Sequence, residues 1–242
     1  MLKAEMEKKV IVFAPHPDDE TLGCGGTIAR KLDEGYDVSV VFITDGRHCL
    51  TDLGVSAGPN PIEMKEIRKE EALRATRVLG LHEKNLLFLD FEDKLLEKHE
   101  KLLQQRLVEI LEEVSPLEIF FPQEKEYNIV HRITNRIVRN AIAVTNIRPI
   151  EYQYTIAWSF PFYLLWHVMN ERVFDLFSLK FIHGDLISLD ISNFFHLKEK
   201  AMKEYKSQTT VLANDQKSPV LKRSFVKRFM KNEEKFFISS VA

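Results

Sequence analysis

Five consecutive residues, His16-Pro17-Asp18-Asp19-Glu20, set an imidazole beside three carboxylates directly after an apolar run. An imidazole and a carboxylate three residues apart on a tight turn can point at one divalent metal. The carboxylate between them, Asp18, is then free to face a water molecule and take its proton. The plain alternative is a polar cluster that caps a helix or solvates a turn, which is what a lone His-Pro-Asp usually does. The additional carboxylates favour the metal reading. Glu20 reads equally well as support for the ligands or as a negative charge at a helix N-terminus.

Such a cluster acts only if the backbone holds it still. Lys9 to Ala14 is a short β-branched and apolar run that stops at Pro15, the pattern of a strand buried on both faces. Gly23, Gly25 and Gly26 read as a turn, and Thr27 to Glu34 as a helix stopped by Gly35. Asp37 to Thr44 is a second buried strand, ending at Asp45-Gly46. The loop that follows, to about Pro61, is long enough to be a candidate substrate flap over residues 46–60. Ile62 to Leu79 reads as an amphipathic helix, Asn85 to Asp90 as a strand, Leu95 to Val114 as a helix and Leu117 to Phe121 as a strand. This alternation predicts an α/β fold with a mostly parallel, Rossmann-like sheet flanked by helices, and places the site at the strand carboxyl ends. One domain is expected over 1–242, less regular from about 149, with strands near Glu151–Ile156 and Leu186–Ile191 and a helix over Leu197–Lys206. The tail carries Lys217, Lys222, Arg223, Lys227, Arg228, Lys231 and Lys235 beside Phe225, Phe229 and Met230. It reads as an amphipathic helix, burying its aromatic face on the domain or lying on an anionic surface.

His16 to Glu20 resembles the signature of the LmbE-like family, also called the PIG-L or N-acetylglucosaminyl deacetylase family, whose opening motif centres on H-P-D-D-E; all five positions match. The resemblance extends through Gly25-Gly26, Thr44-Asp45-Gly46, Arg68 to Gly80 and Lys200 to Gln208. It implies a zinc-dependent N-deacetylase acting on an N-acetylated sugar, with His16 and Asp19 as zinc ligands and Asp18 as general base. Zinc suits such a reaction because it polarises an amide oxygen and lowers the pKa of water. The third ligand of the family comes from a later His-x-Asp-His motif; here that place reads Asn128-Ile129-Val130-His131, so His131 is carried over as the ligand.

Asn128 and Val130 depart from the family pattern. Asn128 can donate a hydrogen bond but cannot titrate, and Val130 removes a carboxylate. The missing acid can be replaced by Asp18 itself, by His48 or by His183. Arg68, in an Arg-x-x-Glu with Glu71, is expected to contact substrate or fix the site, the alternative being a helix-surface ion pair. Asp45 reads as a strand-end anchor or a sugar-hydroxyl acceptor, and Asn128 as a substrate contact. A metal-binding member with reduced or no turnover is the competing function. A dinucleotide loop at Gly23-x-Gly25-Gly26 is disfavoured, because neighbouring carboxylates repel a pyrophosphate.

Lys+Arg 34 against Asp+Glu 36 leaves a formal charge of -2, which excludes a strong field toward nucleic acid. The opening residues lack an apolar signal core, and the longest apolar stretch, around Phe160 to Trp166, is far below the ~20 residues of a membrane span. A cytoplasmic, soluble enzyme with a small-molecule substrate is expected, and assembly into a homo-oligomer stays open. Cys24 and Cys49 are expected to be reduced and not to bind metal.

Overall fold

The structure, a computed structural model, describes residues 8–156 and 185–238. His183 and the stretch Phe160 to Trp166 lie outside the described residues. Seven strands form one sheet: β1 (Lys9–Ala14), β2 (Asp37–Thr44), β3 (Leu86–Phe91), β4 (Glu118–Pro122), β5 (Ile150–Tyr154), β6 (Asp185–Asp190) and β7 (Glu233–Ile238). Their order is β3-β2-β1-β4-β5-β7-β6. The first five run parallel, and β7 pairs antiparallel with both β5 and β6.

β1 explains the layering. Its residues alternate between two buried clusters: Val10, Val12 and Ala14 enter one, Ile11 and Phe13 the other. The first cluster contains Leu22 and Ile28 of α1 (Asp19–Asp33), Ala72 and Ala75 of α2 (Pro61–Val78), and Ala201 of α5 (Phe195–Met202). The second takes Leu103 and Leu107 of α3 (Glu100–Val114) with Ile133 and Ile137 of α4 (Ile129–Val144). A strand covered on both faces has to be apolar throughout, as β1 is. Because β2 lies on one side of β1 and β4 on the other, the chain reverses direction across the sheet there, leaving a crevice at the carboxyl ends of β1 and β4.

Two expectations are corrected. The glycines after the motif are not a turn: Gly23, Gly25 and Gly26 lie inside α1, which begins at Asp19. Close packing is the reason. A Cβ on Gly23 would stand 2.6 Å from the Tyr154 ring, and one on Gly26 2.3 Å from Ile191 Cδ1. The glycines let α1 lie against these side chains and do not form a dinucleotide loop. The tail is not one amphipathic helix either. Only α7 (Arg223–Val226), following a short α6 (Lys206–Thr209), is helical, and Glu233–Ile238 becomes a strand between β5 and β6. Phe236 there packs edge-on to Phe120 and Tyr152, and the buried Glu234 carboxylate accepts Gly26 N–H, Thr27 N–H and Lys198 Nζ. Phe225, Val226, Phe229 and Met230 do pack on the domain, while the basic side chains from Lys217 to Lys235 are exposed.

The loop at 46–60 is anchored, with Leu50 and Val55 packed against Met64 and Ala213, and with Asp215 accepting from Ser56 N–H and Ala57 N–H. Cys24 and Cys49 are both free thiols. Among the described residues no helix is long and apolar enough to cross a membrane. Gly26→Ala is expected to destabilise the fold by about 1–3 kcal/mol, because a branched side chain at Ile191 blocks the new methyl. Chemical denaturation measures this; an unchanged midpoint would contradict the packing argument.

Candidate metal centre

β1 delivers Pro15 to the edge of the crevice, and α1 starts only four residues later. The turn between them is severe: Asp18 has φ 139 and ψ -25, a conformation that costs about 1–3 kcal/mol for a residue with a side chain. Its surroundings hold it. Asp18 N–H donates to Glu20 Oε2 at 3.0 Å, and Asp18 O accepts from the N–H groups of Thr21 and Leu22. Arg68, buried on α2, donates to Pro17 O at 2.5 Å and to Gly46 O at 3.0 Å, and its Nη2 stands 3.1 Å from Asp18 Oδ2. One guanidinium thus joins the turn after β1, the turn after β2 and the carboxylate of Asp18.

The same turn brings His16 onto Asp19. His16 N–H donates to Asp19 Oδ2 at 3.0 Å, and His16 Nδ1 lies 3.1 Å from that oxygen. From the far side of the crevice, His131 in the first turn of α4 places Nε2 3.2 Å from Asp19 Oδ2 and 3.3 Å from His16 Nδ1. His131 is held by the docking of α4, where Asn135 donates to Pro122 O at the end of β4 and Asn128 caps the helix by accepting Val130 N–H at 2.8 Å. Among the described residues, His16, Asp19 and His131 form the one such group able to hold a metal ion.

The spacing of these donors is itself informative. A tetrahedral ion with bonds of about 2.0–2.1 Å separates its ligand atoms by about 3.3–3.4 Å, close to the three distances found here. Two imidazoles and one carboxylate are a donor set that suits zinc and leaves a fourth position open.

The family model PIG-L, described as GlcNAc-PI de-N-acetylase, matches residues 11–142, more than half of the 242-residue chain. The chain belongs to the PIG-L family. A probable N-acetyl-alpha-D-glucosaminyl L-malate deacetylase 2 of Bacillus cereus is 33% identical over 153 residues, covering 60% of this chain and 64% of the relative. The diacetylchitobiose deacetylase of Thermococcus kodakarensis is 35% identical over 115 residues, 48% of this chain and 40% of that protein. The chain therefore spans less than two thirds of the length of these relatives. The crystal structure of 4-carboxy-2-hydroxymuconate hydratase from Pseudomonas putida superposes with a TM-score of 0.68 at 17% identity, over 97% of this chain and 96% of that one. That likeness concerns the fold alone, since one fold hosts different reactions.

Within this PIG-L chain the remaining predicted residues have partners of their own. Asp45 is engaged by Arg47, whose Nε stands 2.9 Å from both carboxylate oxygens. His48 Nε2 lies 2.8 Å from Glu92 Oε1, and its Nδ1 lies 3.3 Å from Thr51 Oγ1. Arg68 is not a surface ion pair with Glu71: it braces Asp18, whereas Glu71 accepts from the Ser207 N–H and hydroxyl at 2.8 and 2.6 Å. Glu20 is fully buried beneath the site, accepting from Tyr205 Oη and Thr21 Oγ1. Two residues escaped the sequence reading. Tyr205, between α5 and α6, is an ordinary aromatic in the sequence until Glu20 meets it. Glu126, fully buried, has Oε2 3.3 Å from His131 Nδ1 while Oε1 accepts Ile156 N–H at 2.7 Å. It stands five positions before its histidine across a loop, a spacing with no helical or strand period to betray it.

Burial governs the protonation of these groups. It raises Asp18 well above the usual carboxylate range despite Arg68, and lifts Glu20 to about 7 against its hydrogen bonds. Burial lowers His16. Asp19 goes the other way: burial alone would raise it, but His131 and His16 outweigh that and hold it well below the carboxylate range. Burial opposes charge on His131 too, yet Asp19 and Glu126 push it up to about 10. In the metal-free protein His131 therefore keeps a proton on Nε2 at neutral pH, and a metal must displace it. Zinc affinity is expected to rise with pH through the neutral and mildly alkaline range, with release of about one proton from His131. Calorimetric titration in buffers of different ionisation enthalpy counts that proton; pH-independent binding without proton release would contradict the pairing.

Proposed function

We propose that the chain is a zinc-dependent N-deacetylase, an amidohydrolase that removes the acetyl group from an N-acetylated sugar or sugar conjugate. The observation that carries this reading is the convergence of His16, Asp19 and His131 on one point with Asp18 beside them, in the crevice between β1 and β4. The substrate class is supported by two relatives, one named for an N-acetylglucosaminyl conjugate and the other for diacetylchitobiose.

Zinc at these three ligands would supply the Lewis acidity that polarises the amide carbonyl and lowers the pKa of water. Asp18 takes the proton of the attacking water, its carboxylate being held beside the ligand group by Arg68. Arg68 orients that carboxylate and keeps the Asp18 backbone in its strained turn. The leaving amine must regain a proton, and among the described residues Asp18 itself, or His48 backed by Glu92, can return it. Asn128 cannot, but its Nδ2 donors stay available to a substrate oxygen while Oδ1 caps α4. Asp45 acts through Arg47, which it holds at the end of β2. Asn128 and Val130 in the His131 motif also favour a second reading, a metal-binding family member with reduced or no turnover.

Acetate release from a panel of N-acetylglucosamine derivatives, read beside zinc content by elemental analysis, tests the reading. Asp18→Asn is expected to lower acetate release by about 100-fold or more while zinc stays bound. Zinc in the wild type without acetate from any derivative favours the member lacking turnover, and a wild type that takes up no zinc removes the proposal. His48→Ala tests the proton donor: lost turnover at unchanged zinc content assigns the step to His48, and unchanged turnover removes His48 from that role.

A further inference from the structure

We propose that Glu126 is the positioning residue for the metal ligand His131, facing its Nδ1 from the loop before α4. The inference rests on the metal-dependent reading of the site and concerns which residue makes His131 a competent ligand.

A histidine that binds a metal through Nε2 must carry its remaining proton on Nδ1, and a carboxylate facing Nδ1 fixes both tautomer and ring orientation. His131 presents Nε2 to Asp19 and His16, so its Nδ1 is the nitrogen in need of an acceptor. Nδ1 is buried and makes no hydrogen bond of good geometry in the metal-free site, and the carboxylate of Glu126 stands next to it, with Oε2 3.3 Å away. Val130, the helical neighbour of His131, packs its side chain into the cluster between α3, α4 and the sheet and so faces away from the ring. Glu126 reaches the ring from the opposite end of the loop.

Glu126 is also unable to wander. Its other oxygen accepts the N–H of Ile156, two residues past the end of β5, and Arg132 Nη1 donates to its backbone carbonyl at 2.8 Å. A fully buried carboxylate is expensive to bury without partners, so a glutamate here is justified only by the groups it faces. One oxygen accepts the N–H of Ile156 and the other lies 3.3 Å from the ligand's ring nitrogen. An amide has one acceptor oxygen, so glutamine can serve the strand or the histidine but not both.

Glu126→Gln is therefore expected to weaken zinc binding by about 10- to 100-fold, measured by competition with a chromophoric chelator. Glu124→Gln, a change in the same loop, should leave the affinity unaltered. Circular dichroism of the metal-free variant shows whether it folds. In the zinc-loaded wild type, with histidine labelled with nitrogen-15, the His131 Nδ1 proton should be hydrogen-bonded and slow to exchange, a signature independent of any substitution. Zinc bound as tightly by Glu126→Gln as by wild type overturns the proposal, and so does a freely exchanging His131 Nδ1 proton in the wild type. A wild type that binds no zinc is a different failure: it removes the metal-dependent reading and this role with it.

Discussion

Every feature of the site depends on neutralising charge away from water. Asp18, Asp19, Glu20, Glu126, His131 and Arg68 are all buried within a few turns of chain. Isolated ionised groups in such a place would each cost several kcal/mol, so each must find an opposite charge, a donor or a proton. The partition is orderly. Arg68 answers Asp18, the imidazoles answer Asp19, and Glu20 is satisfied by Tyr205, Thr21 and the Asp18 amide. His131 stands between two carboxylates, Asp19 at Nε2 and Glu126 at Nδ1. Remove the α2 guanidinium or the α4 imidazole, and a buried carboxylate loses its counterpart.

That arrangement sets demands on the fold. The His16–Asp19 turn is useful only because β1 is clamped between two layers and α1 starts at once, which forces Asp18 into a backbone conformation its neighbours must sustain. α1 in turn is drawn down by glycine contacts with Tyr154 and Ile191 and by the carboxylate of Glu234 binding its backbone N–H groups. Glu234 belongs to β7, more than two hundred residues later in the chain, and its own charge is met by Lys198. The sheet extension at β5-β7-β6 is thus part of what holds the first turn of α1 in register with His131.

The same charge logic explains how a chain can depart from its family motif and still bring His16, Asp19 and His131 together. Val130 contributes packing rather than charge, and Asn128 spends its side-chain oxygen on the α4 cap. The helix start, and with it the height of His131 above the sheet edge, is secured by that cap and by Asn135 on Pro122.

Much of this was determined by sequence alone. Apolar runs bounded by Pro15, Gly46 and Pro122 specify the parallel strands, because a strand buried on both faces leaves no room for polar alternation, and His16, Asp18, Asp19 and His131 are legible from residue type and motif. The glycines of α1 look like a turn in the sequence, because a backbone pressed against Tyr154 and Ile191 and a backbone that bends both select a residue without a Cβ. The strand Glu233–Ile238 was hidden in a basic, aromatic tail, since pairing with β5 and β6 is a long-range event that overrides local periodicity. Arg68 on Asp18, Tyr205 on Glu20 and Glu126 behind His131 are contacts between side chains whose sequence separations carry no period. Which carboxylate meets which cation was decided by tertiary structure alone, because electrostatic partnership follows distance in space and burial, neither of which is written along the chain.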